Sequence, residues 1–162
     1  MLRVGIGRDV HRLAHGRRLV LGGVCVDEHR GCVAHSDGDC VAHAVMDAIL
    51  GAAGMPNIGV LFPNDDEANQ GRDSMEMAAH VVRLAREAGF SVENVDSVIQ
   101  LERPLLGPFL AAMRDRMAGA FGVNPERVGL KATTAEGIGA VGAGDAIEVY
   151  SVCLLREVGV RG

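Results

Sequence analysis

Two histidines and three aspartates surround a glycine in the stretch AHSDGDCVAHAVMDAILGA, which covers residues 34–52. Asp39, His43 and Asp47 recur at every fourth position, so a helix would place them on one side, beside an apolar stripe. A cleft wall has this arrangement, and so does a solvated helix face that begins with an N-terminal cap. The helix alone leaves both interpretations open.

The segment LRVGIGRDVHRL (2–13) alternates like a strand and adds Asp9 and His11 to this chemistry. Alternate residues of a strand project from one face, so these two side chains would lie side by side. With His43 they could offer one carboxylate and two imidazoles to one metal ion. Such a set with an open fourth position is typical of catalytic zinc, and it also suits non-haem iron. The spacing does not choose between these metals, and a chance D-x-H pair is the plain alternative.

Two other clusters have the chemistry to bind phosphate. His35 and Ser36 lie where a loop enters the predicted helix, and there backbone N–H groups and a hydroxyl face an incoming anion. The stretch LKATTAEG (130–137) places Thr133, Thr134 and Glu136 at the end of a predicted strand. Hydroxyls suit phosphate oxygens, and a carboxylate suits Mg²⁺. An ordinary pre-helix histidine and a threonine-rich strand end are the alternative explanations.

Length and charge limit what the protein can do. A chain of 162 residues is most simply one domain, spanning 1–162. The net charge is −5 and Lys131 is the only lysine, so we expect no nucleic-acid partner. If the ligand is a phosphate ester, metal ions and helix N-termini would have to neutralise it.

The cysteines and the apolar runs bear on location. Four cysteines occur without any C-x-x-C spacing, which favours free thiols in a reducing compartment. The N-terminus carries no apolar signal segment, and no apolar run reaches about 18 residues. We therefore expect a cytoplasmic protein with no membrane partner.

The elements that must position these groups follow an α+β order. Ser36 and Asp39 form a capping-box variant that predicts a helix over 38–53. We expect helices to cover one face of a mixed sheet. The final strand is apolar on nearly every residue, which suggests that a subunit interface covers its outer face. The remaining predictions are short strands in 17–35, an irregular segment 54–72, helices 73–89 and 108–122, strands 95–102, 127–134 and 145–157, and a glycine-rich loop 135–144.

The motifs DVHRL, LGG, AHSDGDCVAHAVMDAILGAAG, NIGVLFPNDD, NVDSVI and KATTAEGIG occur in this order and together span most of the chain. They resemble the 2-C-methyl-D-erythritol 2,4-cyclodiphosphate synthase family of the non-mevalonate isoprenoid route, over about residues 3–156. The resemblance implies a homotrimer with an active site at each subunit boundary. It also implies a lyase reaction in which the 2-phosphate of a CDP-linked methylerythritol attacks the β-phosphate and CMP leaves.

The resemblance also implies roles for particular residues. Asp9, His11 and His43 would bind one zinc ion per subunit. Glu136 would help hold a second divalent ion, Mg²⁺ or Mn²⁺, that arrives with the substrate. His35 and Thr134 would be catalytic and steady the pentavalent transition state. Asp37, Asp39 and Asp47 would orient the ligands and shape the loop. The implied substrate-binding residues are Ser36, Asn57, Ile58, Gly59, Phe62, Asn64, Asp66, Leu101, Pro104, Leu105, Leu106, Ala132, Thr133, Thr134 and Glu136.

Several positions depart from the family pattern, mostly where the organic part of the substrate would be recognised. Asn57 and Asn64 stand where acids are usual, and Leu105 replaces a lysine. Ala140 and Ala143 replace the aromatic residue and the arginine of the family's F-x-G-R-G-E. Three alternatives therefore stay open: a paralogue acting on another CDP-alcohol, a non-catalytic cytidine-nucleotide-binding trimer, and a generic zinc hydrolase, which would leave KATTAE unexplained.

Overall fold

A computed structural model describes residues 1–63, 65–66 and 69–158. The strands are β1 (Leu2–His15), β2 (Leu19–Leu21), β3 (Val24–Asp27), β4 (Arg30–Cys32), β5 (Phe90–Gln100), β6 (Val128–Thr133) and β7 (Ala146–Glu157). The helices are α1 (Cys40–Ala53), α2 (Ile58–Leu61), α3 (Ser74–Glu87), α4 (Leu110–Phe121) and α5 (Gly139–Gly142), with short 3₁₀ turns at Gly107–Phe109 and Pro125–Arg127. The predicted α+β class is confirmed.

A mixed sheet of five strands in the order β4-β1-β7-β5-β6 forms the centre of the fold, and β2 and β3 form a separate hairpin. All pairs in the large sheet are antiparallel except β5 with β6. One row of this sheet runs from Asp9 through Val149 to Ile99. Ile99 in turn pairs with Ala132, which places β6 three strands away from Asp9.

Helix α1 packs directly on β1 because that strand presents glycines to it. A Cβ atom on Gly5 would lie 2.0 Å from the carbonyl oxygen of Ala48, and one on Gly7 would lie 1.9 Å from that of Ala44. No side chain fits in this space, so the two backbones come into close contact. The buried core lies between the sheet and α1, α3 and α4, and it includes Met46, Ile49, Ile99, Met113 and Phe121.

The opposite face of the sheet is uncovered in the single chain and exposes several large apolar side chains on β1 and β7. On β1 and β7 the residues alternate between buried side chains facing the helices and exposed side chains facing outward. An ion pair between Arg8 Nη2 and Glu148 Oε1, at 2.6 Å, links β1 and β7 on this surface. We call this surface the outer face; it carries Leu2, Val4, Ile6, Val10, Tyr150 and Val152.

Several element boundaries differ from the sequence predictions. Helix α1 begins at Cys40 rather than 38, because Asp39 alone caps it by accepting the N–H groups of Val41 and Ala42. The predicted Ser36–Asp39 capping box is therefore wrong. Strand β5 begins at Phe90 rather than 95. The segments expected to be irregular or loop contain the one-turn helices α2 and α5. Within the described ranges, no helix is long and apolar enough to cross a membrane.

Candidate active site

Three ligand-type side chains from two elements meet at one point. Asp9 Oδ2 lies 2.8 Å from His11 Nε2 and 3.2 Å from His43 Nδ1. The two imidazole nitrogens are 3.3 Å apart. Strand β1 supplies Asp9 and His11 from the face that packs on α1, and α1 supplies His43. The fold therefore brings together the three residues that their spacing selected.

The donor set fits a metal ion. Ligand atoms about 2.0–2.2 Å from a tetrahedral zinc ion lie roughly 3.3–3.5 Å from one another. The three separations here are 2.8, 3.2 and 3.3 Å, so small side-chain adjustments would place all three atoms around one ion. Among the histidines, cysteines and acids that the structure describes, these three have ligand atoms close enough together to share one metal ion.

The charges suit a cation. Burial opposes ionisation of Asp9, but hydrogen bonds with His11 and His43 outweigh it and hold the pKa of Asp9 well below its ordinary value. Burial also works against protonated His11, but the hydrogen bond with Asp9 outweighs it and raises the pKa of His11. Asp9 is thus ionised at neutral pH, as a carboxylate ligand must be.

The neighbouring thiols do not compete for this role. Burial raises the pKa of Cys32 to about 12, and it raises that of Cys40 well above the ordinary value. Both thiols are therefore protonated near neutral pH in the metal-free protein, and neither belongs to the group of described residues whose ligand atoms could share an ion.

A backbone carbonyl group orients the His11 ring. Its Nδ1 lies 3.2 Å from the carbonyl oxygen of Val33, which can only accept a hydrogen bond. Nδ1 therefore carries the proton and donates it to Val33. With a metal ion in the site, Nε2 would offer its lone pair to the ion, as a metal ligand requires. In the metal-free protein, Nε2 takes part in the hydrogen bond with Asp9 described above.

The three ligand-type residues line an open cavity of about 280 Å³. His35 and Ser36 form part of its wall, and His35 is exposed. Ser36 Oγ lies 3.2 Å from His43 Nε2 and accepts the Gly38 N–H. The other lining residues are Val33, Ala34, Ile58, Gly59, Phe62, Asn69 and Met77. Of these, Asn69 and Met77 carry no signal in the sequence, because neither belongs to a motif with recognisable chemistry.

The segment after α1 is held beside the cavity by a hydrogen bond that it donates to Asp47. Its Oδ1 accepts the Ile58 N–H at 2.8 Å, and burial raises the pKa of this carboxyl group. Asn57 caps α2, with its side-chain oxygen 3.3 Å from the Val60 nitrogen, so that oxygen already has a donor. Of the other predicted contacts, Ile58, Gly59 and Phe62 line the cavity, Asp66 is exposed, and Asn64 lies outside the described residues.

Asp39 acts within the fold rather than in the cavity. It is fully buried, and its carboxylate accepts the N–H groups of Gly22, Gly23, Val41 and Ala42. Burial raises its pKa to about 6, against the effect of these amides. The predicted polar stripe on α1 therefore divides into a structural cap at Asp39, a cavity residue at His43 and a loop anchor at Asp47.

The second phosphate-type cluster lies far from the first in the same chain. Ala132 is three strands from Asp9 along one row of the sheet, a distance of about 14 Å. Thr134 Oγ1 donates to Glu136 Oε1 at 3.1 Å, and Glu136 is exposed. The nearby predicted nucleotide contacts are Leu101, Pro104, Leu105, Leu106, Ala132 and Thr133. None of these residues lines the Asp9 cavity as the structure describes it.

The fold and the site together define a class, an α+β protein whose cleft carries a two-histidine, one-carboxylate site able to hold a metal ion. Residues 2–156 match the family model described as the YgbB family. The chain therefore belongs to the YgbB family.

Named relatives agree with this membership. The chain is 48% identical over 158 residues to the 2-C-methyl-D-erythritol 2,4-cyclodiphosphate synthase of Pelotomaculum thermopropionicum, covering 98% of both chains. It is also 48% identical over 159 residues to the bifunctional enzyme IspD/IspF of Desulforudis audaxviator, but 98% of this chain covers only 40% of that protein. A solved 2C-methyl-D-erythritol-2,4-cyclodiphosphate synthase with bound CDP superposes with a TM-score of 0.87 at 36% identity, covering 95% of this chain and all of that one.

Proposed function

We propose that this chain is a single-domain 2-C-methyl-D-erythritol 2,4-cyclodiphosphate synthase. It would convert 4-diphosphocytidyl-2-C-methyl-D-erythritol 2-phosphate to the cyclic diphosphate and CMP. An oxygen of the 2-phosphate would attack the β-phosphorus, and the bond from that phosphorus to the bridging oxygen of CMP would break. The observation that carries the proposal is the meeting of Asp9, His11 and His43 in the cavity of a chain from this family.

Asp9, His11 and His43 would hold one zinc ion, since small side-chain adjustments would bring their ligand atoms to tetrahedral separations. When bound, zinc supplies Lewis-acid polarisation of a phosphoryl oxygen. His35 and Ser36 lie in the same wall and would hold phosphate oxygens by hydrogen bonds. His35 would also steady the charge that develops at phosphorus. In an acidic protein with one lysine, these polar groups have few side-chain cations to assist them.

Thr134 and Glu136 would act on the substrate from a neighbouring chain. Thr134 would assist His35 at the transferred phosphorus, and Glu136 would bind Mg²⁺ or Mn²⁺ between the phosphates. The separation of about 14 Å between β6 and Asp9 supports this arrangement, because one chain cannot place both clusters on one substrate phosphate. The segment 101–107 would hold the cytidine part from the same neighbouring chain.

The outer face supports a homotrimer. Monomeric soluble proteins seldom expose large continuous apolar patches, and such patches usually mark interfaces. Here Ile6 is 70% exposed and Val4 is 69% exposed in the single chain. Packing of three outer faces would bury them and bring the edge at β6 near the next chain's cavity. We also propose a cytoplasmic location, since all four cysteines are free thiols.

The test is direct turnover. The purified chain is incubated with the CDP-linked substrate, Mg²⁺ and zinc, and products are followed by ³¹P NMR and by chromatography of CMP. We expect the cyclic diphosphate and CMP in equal amounts. An Asp9→Asn variant is the inactive control, and Ser97→Ala, which alters a buried serine pair outside the cavity, is the active control.

Other results would point to the alternatives. CMP release with a linear product would indicate hydrolysis, and CMP binding without any reaction would indicate a binding protein or an enzyme for another CDP-alcohol. We expect cytidine selectivity to survive the replacement of the family's lysine by Leu105, because backbone groups would recognise the base without that side chain. Equal affinities for CMP and UMP would contradict that expectation.

A further inference from the structure

A buried serine joins two of the polar groups at the site. Ser74 is the first residue of α3 and is fully buried. Its Oγ lies 3.1 Å from His43 Nε2 and also donates a hydrogen bond to Asp37 Oδ1. Asp37 Oδ2 accepts the Ser74 N–H at 3.0 Å, so the carboxylate holds both the backbone and the hydroxyl of this residue.

The direction of these hydrogen bonds fixes a proton. A carboxylate only accepts, so the single hydroxyl hydrogen of Ser74 points at Asp37. The Ser74 oxygen can then only accept from His43, and Nε2 of that ring must carry a hydrogen. We propose that Ser74, oriented by Asp37, is a positioning residue that holds His43 in the Nε2–H tautomer and so leaves Nδ1 free to bind a metal ion. The inference rests on the metal site proposed above.

The opposite tautomer has partners of its own, so the choice is not automatic. Asp9 Oδ2 lies 3.2 Å from His43 Nδ1 and would accept a hydrogen from it. Ser36 Oγ lies 3.2 Å from Nε2 and could donate to a bare nitrogen there, since it already accepts the Gly38 N–H. Without Ser74, His43 could therefore place its proton where the metal ion would bind.

The hydrogen bonds that link Asp37, Ser74 and His43, which we call the relay, join residues from separate segments of the chain rather than from one motif. Asp37 is also tied to the segment before α3, because its N–H donates to the Arg72 carbonyl oxygen at 3.2 Å. Asp73 caps α3 by accepting the Met75 N–H at 2.7 Å. The Asp37 contacts hold the start of α3 beside the segment that leads into α1, and they explain why Asp37 is useful although it does not line the cavity.

The first measurement is the tautomer of His43 in metal-free protein. Long-range ¹H–¹⁵N NMR of histidine-labelled protein at about pH 9, well above the ordinary histidine pKa of about 6.5, distinguishes the two neutral forms. We expect His43 in the Nε2–H form in the unmodified protein. In Ser74→Ala we expect a shift toward the Nδ1–H form. A His43→Gln variant assigns the signal.

The second measurement is zinc affinity, taken by competition with a chromophoric chelator. Loss of the residue that hydrogen-bonds to a metal-binding histidine typically lowers the affinity for the metal by about 10- to 100-fold. We expect this loss in Ser74→Ala. Ser97→Ala is the matched control, since Ser97 is a buried serine that is hydrogen-bonded to Ser151 and does not line the cavity. Its zinc affinity should not change.

Asp37→Asn tests the direction of the relay while keeping the Ser74 hydroxyl. Asp37 Oδ2 accepts the Ser74 N–H at 3.0 Å, and Oδ1 accepts the Asp39 N–H at the longer distance of 3.2 Å. We therefore expect the Asn oxygen to keep the shorter bond with Ser74 N–H, which leaves its NH₂ group facing Ser74 Oγ. That group would donate to Ser74 and free the hydroxyl hydrogen to point at His43 Nε2. We expect Asp37→Asn to shift the tautomer as Ser74→Ala does. The double variant should be no weaker in zinc affinity than Ser74→Ala, because Asp37 acts through Ser74.

The outcomes separate this inference from the proposed reaction. An unchanged His43 tautomer in both folded variants would overturn it, as would unchanged zinc affinity in Ser74→Ala. Additive losses in the double variant would overturn the role of Asp37. None of these measurements needs turnover. A protein that binds zinc and shows the expected His43 tautomer but has no activity would therefore contradict the proposed function and leave this inference intact. Circular dichroism of each variant establishes that it is folded.

Discussion

Gly7 on β1 lies against the backbone of Ala44 on α1. A Cβ atom at Gly7 would lie 1.9 Å from the Ala44 carbonyl oxygen, well inside any allowed contact. Ala44 directly follows His43, and Gly7 precedes Asp9 by two residues on the same face of its strand. The glycine therefore sets the distance between the two elements that carry the ligand-type side chains.

Gly7→Ala should force α1 and β1 apart. The obstacle is backbone rather than a flexible side chain, so we expect a loss of about 3 kcal/mol or more in unfolding free energy, together with weaker metal binding. The chain has no tryptophan, so urea unfolding is best followed by circular dichroism, at one fixed protein concentration. Gly119→Ala is the control: no atom lies within 4 Å of the new Cβ on α4, and the change should stabilise by about 0.5–1 kcal/mol. Equal effects of the two substitutions would contradict this argument.

The amount of bound metal should depend on His43 itself and not on how many histidines the chain contains. We expect about one zinc ion per chain in protein purified without chelators, and almost none in His43→Ala. His29→Ala removes an exposed histidine away from the cavity and should keep the metal. Elemental analysis by mass spectrometry measures both. Removing zinc from the unmodified protein should lower its melting temperature, because a ligand bound only by the folded state stabilises that state. A full complement of zinc in His43→Ala would refute the assignment.

Glu102 should control the loop that carries Thr134 and Glu136. Its Oε2 accepts the Ala135 N–H at 3.1 Å, which ties the end of β5 to the loop after β6. The loop also holds Glu136 at φ 51°, in the left-handed region. Loss of a hydrogen bond to a charged group costs about 1.5–3 kcal/mol, so Glu102→Ala should lower kcat/KM by roughly 10- to 100-fold.

Glu102→Gln is the matched variant, since its amide keeps an acceptor oxygen at the same place. We expect it to retain most of the activity that Glu102→Ala loses, with zinc content unchanged in both. Steady-state kinetics with the CDP-linked substrate gives the comparison. If Gln and Ala at position 102 were equally impaired, the hydrogen bond to Ala135 would not be the cause.

Charge on the outer face should break the assembly. Ile6→Glu would place a carboxylate in the apolar surface that we propose is buried between subunits, and an unpaired buried charge is strongly unfavourable. Sedimentation velocity should show trimers for the unmodified chain and a shift to monomers for Ile6→Glu. Ala112→Glu, an exposed position on α4 away from this face, should remain trimeric. Trimers that persist in Ile6→Glu would place the interface elsewhere.

Shared sites should allow two inactive variants to rescue each other. Asp9→Asn removes a metal ligand, and Thr134→Ala removes the hydroxyl that would come from the neighbouring chain. Co-refolding the two in equal amounts should create intact boundaries at roughly a quarter of the sites, with activity to match. Mixing without refolding is the control, because subunits that do not exchange form no hybrids. Co-refolded protein as inactive as either parent would count against sites formed by two chains.

The sequence by itself determined which groups carry the chemistry. Alternation placed Asp9 and His11 on one strand face, and helical periodicity placed His43 beside an apolar stripe. These patterns succeed because side-chain direction within one element follows from local backbone geometry. The same reasoning misjudged Ser36 as a helix cap, because Ser and Asp are both good caps and only the observed chain path selects Asp39.

Only the tertiary structure decided how the elements meet. It showed that Gly7 lets α1 touch β1, that Ser74 reaches His43 across 31 positions of sequence, and that β6 lies three strands from Asp9. None of these relations has a local signal, because distances between elements depend on how every buried side chain packs at once. The residues that could hold a metal ion were therefore visible in the sequence, while the residue that orients His43 and the separation of the two phosphate-type clusters were not.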